Sequence, residues 1–209
     1  MTQVKPLPAS AVERRFIAGA AGRIETDISD PGADARRGIA VIAHPNPVQG
    51  GTKDNKVVTT LAKCFHSLGC VVARPNFRGV GATDGTHDAG NGETDDIVTV
   101  VDHMVTTYPD LPLTLAGFSF GCFVQSRVVK RVEAKQLVLI APAVNRFQTE
   151  AVPADTLVVH GEVDDVVPLA DVLEWARPQN LPIVVIPGGE HFFHGRLGQL
   201  SQIVVRHCR

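Results

Sequence analysis

The sequence predicts an α/β fold in which helices cover both faces of a mostly parallel central sheet. Short apolar runs bounded by glycine and proline turns alternate with longer stretches whose apolar residues recur at helical spacing. Two of the short runs, residues 39–43 and 70–73, are continuously apolar, which is typical of strands buried on both faces of a sheet. The chain of 209 residues is 44% hydrophobic and 20% charged, so we expect residues 1–209 to form one globular domain.

The elements follow from the apolar pattern taken in chain order. Residues 1–12 are polar and contain prolines, and we expect them to be a loose lead-in. Residues 13–28 are predicted to form two short strands that turn at 20–22, an antiparallel hairpin at the N-terminal edge of the sheet. The remaining predicted elements are strands at 39–43, 70–73, 113–117, 136–141, 156–160 and 181–186, and helices at 53–68, 93–108, 122–131, 169–177 and 195–207.

Composition and charge argue against several classes of partner. The formal net charge is −2 and no block of Lys or Arg forms a stripe, so we expect no nucleic-acid partner. No apolar run reaches the length of a membrane span, and the stretch after Arg14-Arg15 is too short for a signal sequence. The four cysteines show no Cys-x-x-Cys spacing, which fits a reducing cytosol. We therefore expect a cytoplasmic protein without membrane association; a monomer and a homodimer both remain open.

The pentapeptide Gly117-Phe118-Ser119-Phe120-Gly121 is the strongest local signal of chemistry. It lies between a predicted buried strand and a predicted helix, and in that context Gly-x-Ser-x-Gly forms a nucleophile elbow. The sharp turn exposes the serine hydroxyl above the edge of the sheet, and the glycines allow strand and helix to approach closely. A serine hydroxyl is a weak nucleophile near neutral pH, so it needs a histidine base and an acid that orients the histidine.

An acid and a histidine follow the serine, each just after a predicted strand. Asp164 lies beyond the glycine turn that ends the strand at 156–160, and His191 lies in the loop after the strand at 181–186. Because the carboxyl ends of parallel strands meet at one edge of a sheet, these residues can converge on Ser119.

Neighbouring residues offer alternatives for each of these roles. Asp165 could replace Asp164, and His194 could replace His191, whereas His160 ends a strand and is expected to be a hydrogen-bonded structural residue. Glu190, His191 and His194 could suggest metal ligands, but the His-Glu-x-x-His pattern is absent and we expect no metal site.

Taken together, these motifs resemble those of the α/β-hydrolase superfamily, and in particular its short, lidless bacterial serine hydrolases, which are similar to dienelactone hydrolases and simple carboxylesterases. The resemblance runs from residue 38 to the end of the chain. It implies the α/β-hydrolase fold with Ser119 as nucleophile, His191 as general base and acid, and Asp164 as the orienting acid.

The oxyanion hole and substrate pocket are assigned less directly. The N–H of Phe120, next to the serine, is expected to be one oxyanion donor. In this fold the loop after the first buried strand supplies the second, and Asn46 is the natural donor there because its two flanking prolines have no N–H. Phe118, Phe147 and Phe192 are candidates for the wall of a small apolar pocket.

The segment in which a lid would be inserted is too short to form a helical cap. Only residues 142–155 separate the strands at 136–141 and 156–160, where this superfamily usually inserts its lid. An open, partly apolar site suits a small-molecule acyl substrate, and we expect hydrolysis of a small or short-chain carboxylic ester. A thioesterase, a lactone hydrolase or a peptidase with the same triad, or a non-catalytic binding protein of this fold, are the alternatives.

A second glycine-rich loop matches a nucleotide-binding motif only in part. Gly79-x-Gly81 lacks the third glycine of Gly-x-Gly-x-x-Gly, because Asp84 stands at that position. We therefore expect no dinucleotide and no other cofactor. Arg78 is predicted to pair with one of the two aspartates at 95–96, a structural role.

Overall fold

A computed structural model describes residues 12–209, which form an eight-stranded sheet with helices on both faces. The predicted lead-in, residues 1–12, lies outside the described residues except for Val12, which begins the first strand. The strands are β1 (Val12–Gly19), β2 (Gly22–Ser29), β3 (Gly38–Ala43), β4 (Cys70–Pro75), β5 (Leu113–Phe118), β6 (Gln136–Ile140), β7 (Leu157–Gly161) and β8 (Ile183–Ile186). The helices are α1 (Lys56–Ser67), α2 (Asn91–Thr107), α3 (Phe120–Val128), α4 (Leu169–Ala176) and α5 (Leu197–His207).

The strand order is β1-β2-β4-β3-β5-β6-β7-β8. The predicted hairpin is present, since β1 and β2 pair antiparallel along their whole length, and β2 also pairs antiparallel with β4. All other neighbouring strands are parallel. The fold prediction, a mostly parallel sheet with antiparallel pairing at the N-terminal edge, is therefore confirmed.

Alternate residues of the central strands serve two separate cores. In β3, Ile39 and Val41 belong to the core that β3 shares with α2, α3 and α4, whereas Ala40 and Ile42 belong to the core that it shares with α1 and α5. All six residues of β3 and all six of β5 are buried, because helices cover both of their faces. The continuous apolar runs in the sequence are the direct consequence of this arrangement.

Helix α1 begins three residues later than the apolar pattern predicted. The side chain of Asn55 accepts a hydrogen bond from the N–H of Val57 at 2.8 Å and so caps the helix, which starts at Lys56. Residues 52–55 instead form a turn, closed by the bond from the Asn55 N–H to the Thr52 carbonyl at 3.1 Å. This turn carries Lys53 away from the helix and into the interior.

Lys53, near the end of the loop that follows β3, belongs to a group of charged side chains that is mostly buried. Its side chain is 1% exposed, and its ammonium lies 2.6 Å from the carboxylate of Asp27 and 3.9 Å from that of Glu25. Arg14 and Arg74 also approach Asp27, at 3.2 and 3.6 Å. Burial alone would raise the pKa of Asp27, but hydrogen bonds from Lys53 and Arg14 hold that pKa below its usual value. The network connects the edge hairpin to the loop after β3.

His44 joins the loop after β3 to the loop after β4. Its buried ring donates from Nδ1 to the carbonyl of Pro45 at 2.7 Å and accepts the N–H of Phe77 at Nε2, 2.9 Å away. The second bond requires an unprotonated Nε2, so the ring is neutral in the folded protein. Burial accordingly lowers the pKa of His44 to about 4, against the hydrogen bond to Pro45, which acts in the opposite direction.

Replacing Lys53 by Met should destabilise the protein. Asp27 and Glu25 would remain buried with less compensating charge, and breaking a buried ion pair costs about 3 kcal/mol or more. Denaturant unfolding measures this loss, with Lys63→Met as the control because Lys63 is exposed on α1. The control should change stability by less than about 0.5 kcal/mol. Equal losses in the two variants would contradict a stabilising role for the buried charges.

Stability should fall on acidification, in part through His44. The unfolded chain protonates this histidine below about pH 6.5, whereas the folded chain does so only below about 4. Protonation therefore favours the unfolded state increasingly from pH 6.5 down to 4, by roughly 3 kcal/mol in all. Unfolding free energies measured across this range should fall less steeply in His44→Gln than in the wild type. The control variant His207→Gln, at an exposed position, should keep the wild-type slope; a wild-type slope in His44→Gln would contradict the assignment.

Candidate active site

Ser119 occupies the turn between β5 and α3 in a strained backbone conformation. Its φ is 55° and its ψ is −115°, outside the regions that side chains normally favour. A Cβ on Gly121 would lie 2.3 Å from the carbonyl oxygen of Ala43, and one on Gly117 would lie 2.6 Å from the backbone of Gly121. Only glycine fits at either position, so the pentapeptide lets α3 start directly against β3 and β5.

The serine hydroxyl meets a histidine and an aspartate in series. Ser119 Oγ lies 3.1 Å from His191 Nε2, and His191 Nδ1 donates to Asp164 Oδ2 at 2.8 Å. The three residues are 7%, 3% and 5% exposed, so little water competes for these bonds. The Asp164 bond places the proton on Nδ1, which leaves the Nε2 lone pair directed at the serine hydroxyl.

Asp164 is held as a carboxylate by the turn that follows β7. Its second oxygen, Oδ1, accepts the N–H groups of Val166 and Val167 at 2.9 and 2.8 Å. Burial alone would raise the pKa of Asp164, but the hydrogen bonds from His191 and Val167 hold it below its usual value. The alternative acid, Asp165, is exposed and makes no comparable contact among the described residues.

The neighbouring histidines take other positions. His160 Nε2 donates to the carbonyl of Val167 at 2.9 Å, and burial lowers the pKa of His160, so this neutral ring braces the Asp164 turn. His194 is exposed and hydrogen-bonds Glu190. Neither ring hydrogen-bonds to Ser119.

A tight turn and two aromatic rings set the position of His191. The N–H of Gly189 bonds the carbonyl of Ile186, at the end of β8, at 3.0 Å. The His191 ring then contacts Phe118 and Phe192, each with its centroid 5.1 Å away, and meets Phe192 edge to face. These two contacts limit rotation of the imidazole, which is what a base aimed at one hydroxyl requires.

An open cavity of about 350 Å³ lies above the serine. Its wall is formed by the loop after β3, by the serine, by two residues of the loop after β8, and by single residues of the loops after β6 and β7. The lining residues are Pro45, Asn46, Gln49, Gly50, Gly51, Asn55, Ser119, Arg146, Val166, His191 and Phe192.

Of the three phenylalanines predicted to line the pocket, Phe192 lines this cavity. Phe118 is fully buried in the core beneath α1 and α5 and does not line the cavity, although it contacts the site residues His191 and Phe192. Phe147 packs on Phe120 and Phe123, with centroids 4.8 and 5.4 Å apart, under the opposite face of the sheet. The sequence did not show which of these phenylalanines pack in the core and which line the cavity, because the direction of each ring depends on the fold.

Two backbone N–H groups beside the serine make no hydrogen bond within the described chain. One belongs to Phe120, the first residue of α3, and the other to Asn46. The carbonyl of Asn46 accepts from Gln49 and Gly51, and its side-chain oxygen accepts from Val48, whereas its backbone N–H and its side-chain NH2 make no bond to the described residues. A trans peptide directs its C=O and N–H to opposite sides; the His44 bond to the Pro45 carbonyl therefore turns the Asn46 N–H away from the buried ring.

Sequence reasoning did not identify several residues at this site. His44, Gln49, Asn55 and Arg146 were not assigned there. Asn55 carried a usable signal, as an Asn just before an apolar helical run. Arg146 carried none, because its position depends on the path of residues 142–155.

The glycine loop after β4 is structural, as predicted. Arg78 pairs with Asp96 through two hydrogen bonds of 2.8 Å, while Asp95 pairs with Arg131. Within residues 12–209, no group of three or more His, Cys, Asp or Glu side chains is arranged to hold a metal ion. No helix in the same range is both long enough and apolar enough to cross a membrane.

The chain is similar to known proteins in sequence and in fold. Residues 36–150, more than half of the chain, match the family model described as serine aminopeptidase, S33. The chain is similar to an uncharacterized protein of Rickettsia prowazekii, with 30% identity over 90% of this chain and 85% of that protein.

Two solved structures are similar over nearly their whole length. A Xanthomonas campestris α/β serine hydrolase without a lid is 33% identical, with a TM-score of 0.90 over 98% of this chain and 97% of that one. An α/β serine hydrolase homologue of Coxiella burnetii is 37% identical, with a TM-score of 0.84 over 94% and 97% of the two chains. The chain therefore belongs to the α/β-hydrolase superfamily, as a member of the family described by the serine aminopeptidase S33 model.

Proposed function

We propose that this chain is a serine hydrolase that cleaves small or short-chain carboxylic esters through an acyl-enzyme on Ser119. The observation that carries the proposal is the hydrogen-bonded series from Ser119 Oγ through His191 to Asp164, at 3.1 and 2.8 Å. Such a series activates a serine hydroxyl, because the imidazole can take its proton as the hydroxyl attacks a carbonyl carbon.

In the first half of the reaction, Ser119 Oγ attacks the ester carbonyl and His191 Nε2 accepts the hydroxyl proton. The N–H groups of Phe120 and Asn46 would stabilise the oxyanion, the first at the start of a helix. His191 then returns the proton to the departing alcohol, which leaves an acyl group on Ser119. In the second half, His191 takes a proton from water and the water attacks the acyl carbonyl. His191 then returns the proton to Ser119 Oγ as the bond from Oγ to the acyl carbon breaks and the acid product leaves.

The cavity supports a small substrate and argues against an aminopeptidase. The cavity has a volume of about 350 Å³, and residues 142–155 form no helical cap above it. It therefore suits a short acyl chain better than a long lipid. A free N-terminal ammonium would need a carboxylate in the wall. Among the described residues that line the cavity, none is Asp or Glu, and the charged side chain is that of Arg146. Thioesters and lactones share the carbonyl chemistry and remain second candidates.

A fluorophosphonate probe tests the proposal directly. Wild-type protein should gain the mass of the phosphonyl group on the peptide that contains Ser119, and Ser119→Ala should not react. The same variant should lose at least about a thousandfold in kcat on p-nitrophenyl butyrate, because the nucleophile is absent. Ser67→Ala, at the end of α1, is the control and should react like the wild type. Failure of the wild type to react would favour a binding protein that retains the fold.

A further inference from the structure

Arg146 is an exposed residue at the cavity, and no carboxylate of the described residues neutralises its guanidinium. It lines the cavity together with Ser119 and His191. Many arginines of the described chain lie against carboxylates, as in the Arg78–Asp96 and Arg131–Asp95 pairs. Among residues 12–209, no Asp or Glu oxygen lies within 4 Å of the Arg146 guanidinium.

The rest of the cavity wall does not offset this charge. The other described lining residues are amides, glycines, a proline, a valine, a phenylalanine, the serine and the histidine. Asp164 lies behind His191, and its oxygens are occupied by His191 and two backbone N–H groups. Asp165 is exposed beside the cavity residue Val166 and makes no ion pair with Arg146. The charge that the described lining residues carry is therefore the positive charge of Arg146, which attracts an anionic ligand.

The segment that carries Arg146 is attached to the body of the protein on both sides. Phe147, the next residue, stacks on Phe123 under the sheet. Asn145, the preceding residue, donates from its side chain to the Val166 carbonyl at 3.2 Å, and the Trp175 indole donates to the Thr149 carbonyl at 3.1 Å. A cation on an anchored loop loses less freedom when it binds an anion than one on a loose loop.

We propose that Arg146 is a specificity residue that binds a carboxylate on the substrate. This inference rests on the proposed function, since it concerns the substrate class of the same site: an ester whose acyl or alcohol part carries a negative charge. Guanidinium suits this role because its planar donors match the two oxygens of a carboxylate, and it keeps its charge at all physiological pH values.

Two pairs of esters test the proposal. The first pair is mono-p-nitrophenyl adipate and p-nitrophenyl hexanoate, which differ in a terminal carboxylate on the acyl chain. The second is the hexanoate esters of 4-hydroxybenzoate and its methyl ester, which differ in charge on the alcohol part. In at least one pair, the wild type should show a kcat/KM about tenfold or more higher for the charged ester, as expected of a hydrogen-bonded ion pair.

Arg146→Gln should remove that preference. Its kcat/KM for the preferred charged ester should fall about tenfold or more, mainly through KM, while that for the neutral partner should stay within about twofold. Added salt should reduce the wild-type preference and leave the variant unaffected. Arg177→Gln is the matched control, because Arg177 is exposed, pairs with Glu174 and does not line the cavity; it should behave as the wild type.

The outcomes separate this inference from the proposed function. Hydrolysis of neutral esters with no charge preference in either pair would overturn the role of Arg146 and leave the esterase proposal standing. An equal loss on charged and neutral esters in Arg146→Gln would also overturn it, since that pattern indicates a structural role. If no ester is hydrolysed and the fluorophosphonate does not react, both proposals fail.

Discussion

The strained turn at Ser119 is the constraint on which the rest of the site depends. The turn requires α3 to begin against the end of β3. This close approach is possible because residue 121 is a glycine, since a side chain there would collide with the Ala43 carbonyl. The same contact brings the Asn46 loop beside the first N–H groups of α3. The nucleophile and both candidate oxyanion donors are therefore positioned by one close approach of backbone to backbone, which the buried strands on either side of β5 hold in place.

Around this turn, each remaining part of the site is fixed by its own local interactions. His44, kept neutral by burial, connects the loop after β3 to the loop after β4, and the Lys53 network anchors the same region from behind. Two backbone N–H groups and the brace from His160 orient Asp164. The short segment 142–155 takes the place of a lid, and its residue Phe147 packs against Phe120. This path leaves the cavity above the serine open and places Arg146 at the cavity wall.

Much of this could be predicted from sequence, because several of the signals are local. Continuous apolar runs identified the buried strands, and Gly-x-Ser-x-Gly between a strand and a helix identified the turn at Ser119. Chain order then brought Asp164 and His191 to the correct edge of the sheet. Features that depend on tertiary packing were missed: the start of α1 at Lys56, the packing of Phe118 and Phe147 with opposite cores, and the cavity position of Arg146. No periodicity in the sequence records which way a loop residue points.

The central claim is that the turn at Ser119 presents a nucleophile to which His191 is correctly placed as base. The most direct measurement is rapid acid quenching during turnover of p-nitrophenyl butyrate, followed by peptide mapping by mass spectrometry. The account predicts a butyryl group on the peptide containing Ser119, formed within the first turnover and lost once substrate is exhausted. Steady hydrolysis with Ser119 unmodified, or an acyl group on another residue, would contradict it.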